Sequence, residues 1–198
     1  MNGLDGEMIA IDGEFFRADT EGNIEQIPAT ERTPFAALAW FEASVQRVIE
    51  GPLAYEEFLA ELDLVAADES SACALRIDGE FEFVHARSVP RQLPPYRPLA
   101  EVIADQTVFH FDEIAGTLVG FRFPSYVSGL EVEGYHLHFV SDDRSCGGHV
   151  LSCSPRRVVA GFDLAGELHV ELPPDVDLAS AALDEQTRAA LGRLEHDT

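Results

Sequence analysis

The chain has 198 residues, of which 46% are hydrophobic, and this length suits one domain or two small ones that share a core. It carries 36 acidic residues against 13 basic ones, a formal net charge of −23, and every basic residue is Arg. Such a surface repels polyanions, which excludes nucleic acid and anionic membranes as expected partners. GC bias replaces Lys by Arg, whereas adaptation to high salt also adds acidic residues, so the composition slightly favours salt adaptation.

The sequence predicts a cytoplasmic protein. No stretch is apolar enough to span a membrane, and the first residues lack the basic and apolar regions of a signal peptide. The three cysteines are an odd number with no framework spacing, so we expect free thiols in a reducing compartment.

The first half of the chain predicts β-hairpins and one helix. The predicted elements are hairpins over 8–27, a buried strand over 33–41, a helix over 53–67 and another hairpin over 73–89. Asp-Gly and Glu-Gly pairs mark the turns of the first hairpins, and Asp78-Gly79 marks the turn of the last one. Apolar residues at helical spacing, with acidic residues between them, indicate the helix.

The second half predicts mostly strands. The predicted elements are a Pro-rich loop over 90–99, a helix over 99–106, strands between 107 and 171, and a terminal helix over 183–195. The fold class is therefore α+β, with strand-rich mixed or antiparallel sheets and a few outer helices. We expect one domain over 1–198, with subdomains over 1–113 and 114–198, the second of which bears most of the histidines.

The segment GYHLHFVSDDRSCGGHVL, residues 134–151, indicates a metal site. On a strand His136 and His138 point to the same face, while Leu137 and Phe139 point into a core. A polar, Gly-rich loop then turns the chain and can place His149 beside the first two. Three neutral imidazoles and an open position are the layout of a catalytic zinc site. An exposed pair without a role is the alternative interpretation, and Cys146 is a rival ligand.

Other candidate site residues have weaker signals. Arg87 ends a predicted strand before the Pro-rich loop, a common place for a binding residue. Glu7 begins a predicted strand, and Glu195 lies at the end of the terminal helix. Arg91 and Arg97 lie in the same stretch as Arg87 and are further candidate cations, although a surface ion pair is the expected role of most arginines. Four further histidines stand alone and are predicted to be structural or exposed: His85, His110, His169 and His196.

Several motifs resemble the α-acetolactate decarboxylase family. The most specific are Gly-Thr and Gly-Phe over 116–121, Pro124, Gly-Tyr-His-x-His-Phe over 134–139 and Gly-Gly-His over 147–149. The stretches LDGEMIAIDGEFF (4–16) and ARSVPRQLPPYRPL (86–99) also resemble family segments. Members of that family carry a further segment before the first of these stretches, whereas this chain begins almost on it, so we expect exposed apolar surface or an open sheet edge there.

The resemblance implies a zinc-dependent lyase that converts 2-acetolactate to acetoin and carbon dioxide. It implies His136, His138 and His149 as zinc ligands, with the metal in a cleft between two subdomains. By the same resemblance Glu7 and Glu195 are carboxylates near the metal, and Arg87 is an active-site cation. It also implies a homodimer, Zn²⁺ as the cofactor, and a small-molecule substrate.

Two alternative functions use the same three histidines. The first is a cupin-like metal-dependent oxygenase or hydrolase that acts on a small acid, which iron dependence and oxygen consumption would reveal. The second is a truncated, non-catalytic relative that binds a metal or a small acid without turnover.

Overall fold

The structure is a computed structural model that describes residues 1, 3–66, 71–97, 99–127 and 133–171. Within these ranges the chain forms two β-sheets and few helices, which confirms the strand-rich α+β prediction. The strands are β1 (Glu7–Ile11), β2 (Glu14–Ala18), β3 (Ile24–Ile27), β4 (Val45–Glu50), β5 (Cys73–Ser88), β6 (Thr107–Phe123), β7 (Gly134–Ser141) and β8 (Gly147–Leu164). The helices are α1 (Tyr55–Ala66), α2 (Leu99–Ile103) and a 3-10 turn, Ser125–Val127.

The small sheet is an antiparallel meander in the order β1-β2-β3. Its first turn is Asp12-Gly13, where both residues have positive φ, 53° and 79°. Positive φ at both central residues is typical of the tight turns that join twisted antiparallel strands. The predicted hairpin over this region is confirmed.

The large sheet has the strand order β4-β8-β5-β6-β7, with every neighbouring pair antiparallel. β7 also pairs with the beginning of β8, so β5, β6, β7 and β8 form a closed circuit of hydrogen-bonded strands. Closure removes free edges in this part of the sheet and holds strands that are far apart in sequence at fixed register.

The main core lies under α1, on one face of the large sheet. Phe58 and Leu62 of the helix are fully buried against strand residues that include Phe81 and Phe139. The helix begins where the Ala54 amide donates to the Glu57 carboxylate at 3.1 Å, a cap that satisfies one of the unpaired amides of the first turn. The predicted helix is confirmed.

The predicted hairpin over 73–89 is wrong, because this segment is the single strand β5. Asp78 and Gly79 stay inside the strand, opposite Thr117 and Gly116 of β6. A Cβ at Gly79 would lie 2.3 Å from the carbonyl oxygen of Arg157 on β8, so glycine here permits a close approach of two strands rather than a turn.

Other expectations also differ from the structure. Residues 33–41 are irregular, with Trp40 98% exposed, because the place beside β8 is taken by Val45–Glu50. The predicted helix over 99–106 is the shorter α2, and 167–171 form no strand. The Pro-rich segment is a loop over 90–97, and the predicted terminal helix over 183–195 lies outside the described residues. No helix in the described part is long and apolar enough to cross a membrane.

Candidate metal centre

β7 positions two of the three histidines. His136 and His138 point to one face of the strand, and Leu137 and Phe139 are buried in the main core on the other. β7 is held along its whole length by β6, where Phe121 lies opposite His136 and Val119 lies opposite His138. The alternation predicted from the sequence is confirmed.

β8 positions the third histidine directly across from β7. His149 pairs with His138, and only 2% of its surface is exposed. The two glycines before it allow the close packing that this requires: a Cβ at Gly147 would lie 2.2 Å from the Phe139 carbonyl oxygen, and one at Gly148 would lie 2.7 Å from that of Arg87. The predicted proximity of the three histidines is therefore confirmed.

The three imidazoles form a compact cluster. One ligand atom from each lies within 4.8 Å of the others, and the ring centroids are 4.8 to 5.3 Å apart. The His136 Nε2 and His138 Nε2 atoms are 3.4 Å apart. Bonds of about 2.0–2.1 Å to one tetrahedral metal place two ligand nitrogens about 3.4 Å apart, so the donor set fits such an ion.

Arg87 and Glu7 lie beside the cluster. Arg87 is opposite His149 on β5, is 3% exposed, and donates from Nη1 to the Glu7 Oε1 atom at 3.0 Å. The Glu7 Oε2 atom lies 3.6 Å from the His138 Nε2 atom. The structure thus brings five of the six predicted site residues together, and Glu195 lies outside the described residues.

The small sheet supplies a further contact that the sequence did not indicate. The His138 Nδ1 atom lies 2.8 Å from the backbone carbonyl oxygen of Met8. A carbonyl only accepts, so Nδ1 carries a proton, and in the neutral form of the ring the lone pair is then on Nε2, which faces the cluster. A second residue that orients a ligand is common in metal sites. Every residue has a backbone carbonyl, so the sequence could not single out Met8, although the adjacent Glu7 was a predicted site residue.

The other predicted candidates lie away from the centre. Arg97 is a surface residue that pairs with Asp105 at 2.7 Å, and Arg91 is exposed. Cys146 belongs to the loop before β8 and is not part of the compact cluster. His169 is exposed beside Glu167, and His196 is outside the described residues.

His85 and His110 do not stand alone, which corrects the expectation for both. They face each other across β5 and β6 with ring centroids 4.2 Å apart. Partial burial, and then the nearby His110, hold the pKa of His85 below its usual value, while Asp112 acts in the opposite direction. The sequence could not indicate this pair, because 25 residues separate its members and register alone brings them together.

Comparison with known proteins supports one family. A model of the alpha-acetolactate decarboxylase family matches residues 1–185. The chain is 40% identical over 194 residues to the alpha-acetolactate decarboxylase of Methanosarcina mazei, covering 98% of this chain and 67% of the relative. It is 39% identical over 193 residues to that of Raoultella terrigena, covering 95% and 74%.

Solved structures agree with this. The crystal structure of alpha-acetolactate decarboxylase from Bacillus subtilis strain 168 superposes with a TM-score of 0.93 at 33% identity, covering 99% of this chain and 84% of that one. The fold and the centre define a strand-rich α+β protein with a histidine cluster that can hold a metal ion. The chain belongs to the alpha-acetolactate decarboxylase family, whose members are carboxy-lyases.

Proposed function

We propose that the protein decarboxylates 2-acetolactate to acetoin and carbon dioxide, with Zn²⁺ held by His136, His138 and His149. The observation that carries the proposal is the compact three-histidine cluster beside the buried Arg87–Glu7 pair, in a chain of this family. The metal would lie where the small sheet meets the large sheet, since Glu7 comes from one and the histidines from the other.

The donor set favours zinc over harder ions. Imidazole nitrogens suit zinc and its neighbours in the transition series, whereas Mg²⁺ and Ca²⁺ take oxygen ligands. Three neutral nitrogens leave the full double charge on the metal and leave one tetrahedral position open. When bound, the zinc supplies a Lewis acid for the hydroxyl and ketone oxygens of the substrate.

Arg87 is suited to the charge of the reaction. The bond between C1 and C2 of acetolactate breaks, carbon dioxide leaves, and the electron pair spreads from C2 to the ketone oxygen as an enediolate. A buried guanidinium can hold the substrate carboxylate or the enediolate by charge-assisted hydrogen bonds. Because Arg87 is 3% exposed, water screens this attraction little. Glu7 accepts a hydrogen bond from Arg87 and so orients it.

A carboxyl group must then deliver one proton to C2, which completes acetoin. We propose Glu195 for this role, with Glu7 as the alternative donor. Glu7 is already engaged by the Arg87 guanidinium at 3.0 Å, and such a partner favours the charged carboxylate over the acid that donates. This contact favours Glu195 as the donor and Glu7 as an orienting group.

We further propose a cytoplasmic homodimer with subdomains over 1–113 and 114–198. β6 runs across residue 113, so the two parts would share one sheet and unfold in a single transition. Sedimentation of the purified protein measures the oligomeric state. Two separate calorimetric transitions would contradict subdomains that share a sheet.

The activity is tested by incubating 2-acetolactate with zinc-loaded protein and measuring acetoin against the spontaneous rate. We expect acetoin well above that rate, and its loss in the His136→Ala/His138→Ala variant. Folded, zinc-replete protein without acetoin formation would support the non-catalytic relative instead. Oxygen consumption with iron in place of zinc would support a metal-dependent oxygenase.

A further inference from the structure

A second group of imidazole and carboxylate side chains lies on β5 and β6, outside the centre described above. His85 of β5 lies opposite His110 of β6, and Phe83 lies opposite Asp112. Side chains two apart on a strand share a face, so His110 and Asp112 point the same way, and the ring contact shows that His85 joins them. Two imidazoles and a carboxylate thus meet on one sheet face.

The two rings of this pair lie closer together than those of the three-histidine cluster, so they must separate slightly to bind one ion. The His85 and His110 centroids are 4.2 Å apart with ring planes at 64°, against 4.8–5.3 Å and 70–89° in the cluster. Cross-strand neighbours have their Cβ atoms about 4.5–5.5 Å apart, close enough for two imidazoles to share one ion. The Asp112 Oδ1 atom is 2.6 Å from the His110 Nε2 atom, so the carboxylate contacts one of the two imidazoles.

We propose that His85, His110 and Asp112 form a second, weaker site for a borderline divalent transition-metal ion such as Zn²⁺ or Cu²⁺. Imidazole nitrogens with one carboxylate oxygen suit these ions, and the remaining coordination positions open to water. His110 is 43% and Asp112 is 72% exposed, so an ion can reach the site directly from solvent.

The site binds more weakly than the histidine cluster for two structural reasons. The His110 Nε2 atom is engaged by Asp112, and the His85 Nδ1 atom lies 3.4 Å from the Ser152 hydroxyl, so these contacts must rearrange around an ion. Exposed side chains also lose more rotamer freedom on binding than buried ones do. The second ion is therefore removed by dialysis, whereas the first one stays.

Metal titration of the His136→Ala/His138→Ala variant, in which the first site is disabled, tests the proposal. After dialysis against a chelator, Zn²⁺ and Cu²⁺ are added in competition with a chromophoric chelator, in the presence of excess Mg²⁺. We expect about one bound ion per chain, with Cu²⁺ held more tightly than Zn²⁺. Excess Mg²⁺ occupies acidic surface groups and does not compete for imidazole. The Cu²⁺ spectrum should show coupling to two nitrogens.

Matched variants then locate the ion. In the same background His85→Ala and His110→Ala should each abolish the bound equivalent, and Asp112→Asn should weaken it. His169→Ala is the control, because His169 is an exposed histidine 3.0 Å from the Glu167 carboxylate, and no second imidazole contacts it among the described residues. Binding that persists in both His85→Ala and His110→Ala, or no binding before these changes, would overturn the proposal. Circular dichroism confirms that each variant is folded, and no outcome depends on decarboxylase activity.

Discussion

His138 is fixed by contacts from both sheets. Its Nδ1 atom donates to the Met8 carbonyl oxygen at 2.8 Å. Its Nε2 atom lies 3.4 Å from the His136 Nε2 atom and 3.6 Å from the Glu7 Oε2 atom. The ring therefore cannot turn without breaking a hydrogen bond to the small sheet. Such a restraint lowers the entropy that a ligand loses when it binds a metal, because the side chain is already ordered.

The histidine cluster predicts a tightly held metal. We expect protein dialysed against metal-free buffer to retain about one zinc per chain, since three converging imidazoles suit a single ion. His136→Ala/His138→Ala should retain none after the same dialysis, and His169→Ala should retain the full amount. Elemental analysis measures both. Zinc that survives dialysis in the double variant would place the tight site elsewhere.

Arg87 predicts a large kinetic effect from a small chemical change. Arg87→Lys should lower kcat by about 10²–10³ with zinc still bound, because a point charge does not replace a planar fork that bonds to a carboxylate through two nitrogens. Arg91→Lys, on the exposed loop that follows, should leave kcat unchanged. Acetoin assays with parallel zinc analysis decide this, and full activity in Arg87→Lys would remove Arg87 from its role.

The two carboxylates predict different defects. Glu195→Gln should lower kcat with zinc content unchanged, because an amide keeps the size of the side chain but does not donate a proton as an acid does. Glu7→Gln should instead weaken zinc retention or the hydrogen bond that orients Arg87, because Glu7 contacts both His138 and Arg87. Glu14→Gln, an exposed residue in the same hairpin, is the control. Identical defects in the two variants would contradict this division of roles.

At the scale of elements, the small sheet must stay docked for Glu7 and Met8 to reach the centre. It packs on the large sheet through an apolar cluster, in which Ile9 is 1% and Val140 is 0% exposed. Arg76 of β5 adds an ion pair of 2.6 Å to Asp12 at the tip of the first hairpin. The Arg76 and Asp12 side chains are 31% and 56% exposed, so water screens their attraction. Burial of the apolar cluster should therefore stabilise the docked small sheet more than this ion pair does.

The apolar cluster and the ion pair should differ in their effect on the free energy of unfolding. Ile9→Ala should lower the free energy of unfolding by about 2–5 kcal/mol, as expected when a buried aliphatic side chain is truncated. Arg76→Ala, which also removes the ion pair of Arg76 with Asp78, should cost about 0–1 kcal/mol, typical of exposed ion pairs. Urea unfolding measures both. A larger loss in Arg76→Ala than in Ile9→Ala would show that the ion pair, rather than the apolar face, docks the small sheet.

At the scale of the whole molecule, the net charge of −23 is the dominant feature. Self-repulsion among acidic groups destabilises the folded state, and salt screens it over a Debye length of about 10 Å at 0.1 M. We therefore expect the melting temperature to rise as salt is added to dilute buffer. Thermal melts over a range of NaCl concentrations measure this. A flat or falling melting temperature would favour GC bias over salt adaptation.

The sequence was sufficient for the elements and residues whose signals are local. Strand alternation placed His136 and His138 on one face, helical spacing predicted α1, and an Asp-Gly pair predicted the first hairpin. Such signals depend on backbone geometry within a few residues, so they persist in any fold. The histidine cluster was predictable for the same reason, since only one loop separates β7 from His149.

Tertiary structure decided the strand pairing and the contacts between distant segments, and one repeated pentapeptide shows why. Ile-Asp-Gly-Glu-Phe turns the chain at 11–15, but at 77–81 it runs straight through β5. The second copy stays extended because β6 and β8 hydrogen-bond to it on both sides, whereas the first copy has a partner only after it turns. Docking of separate sheets likewise placed Glu7 beside Arg87, 80 residues away, and no local pattern encodes a contact over that separation.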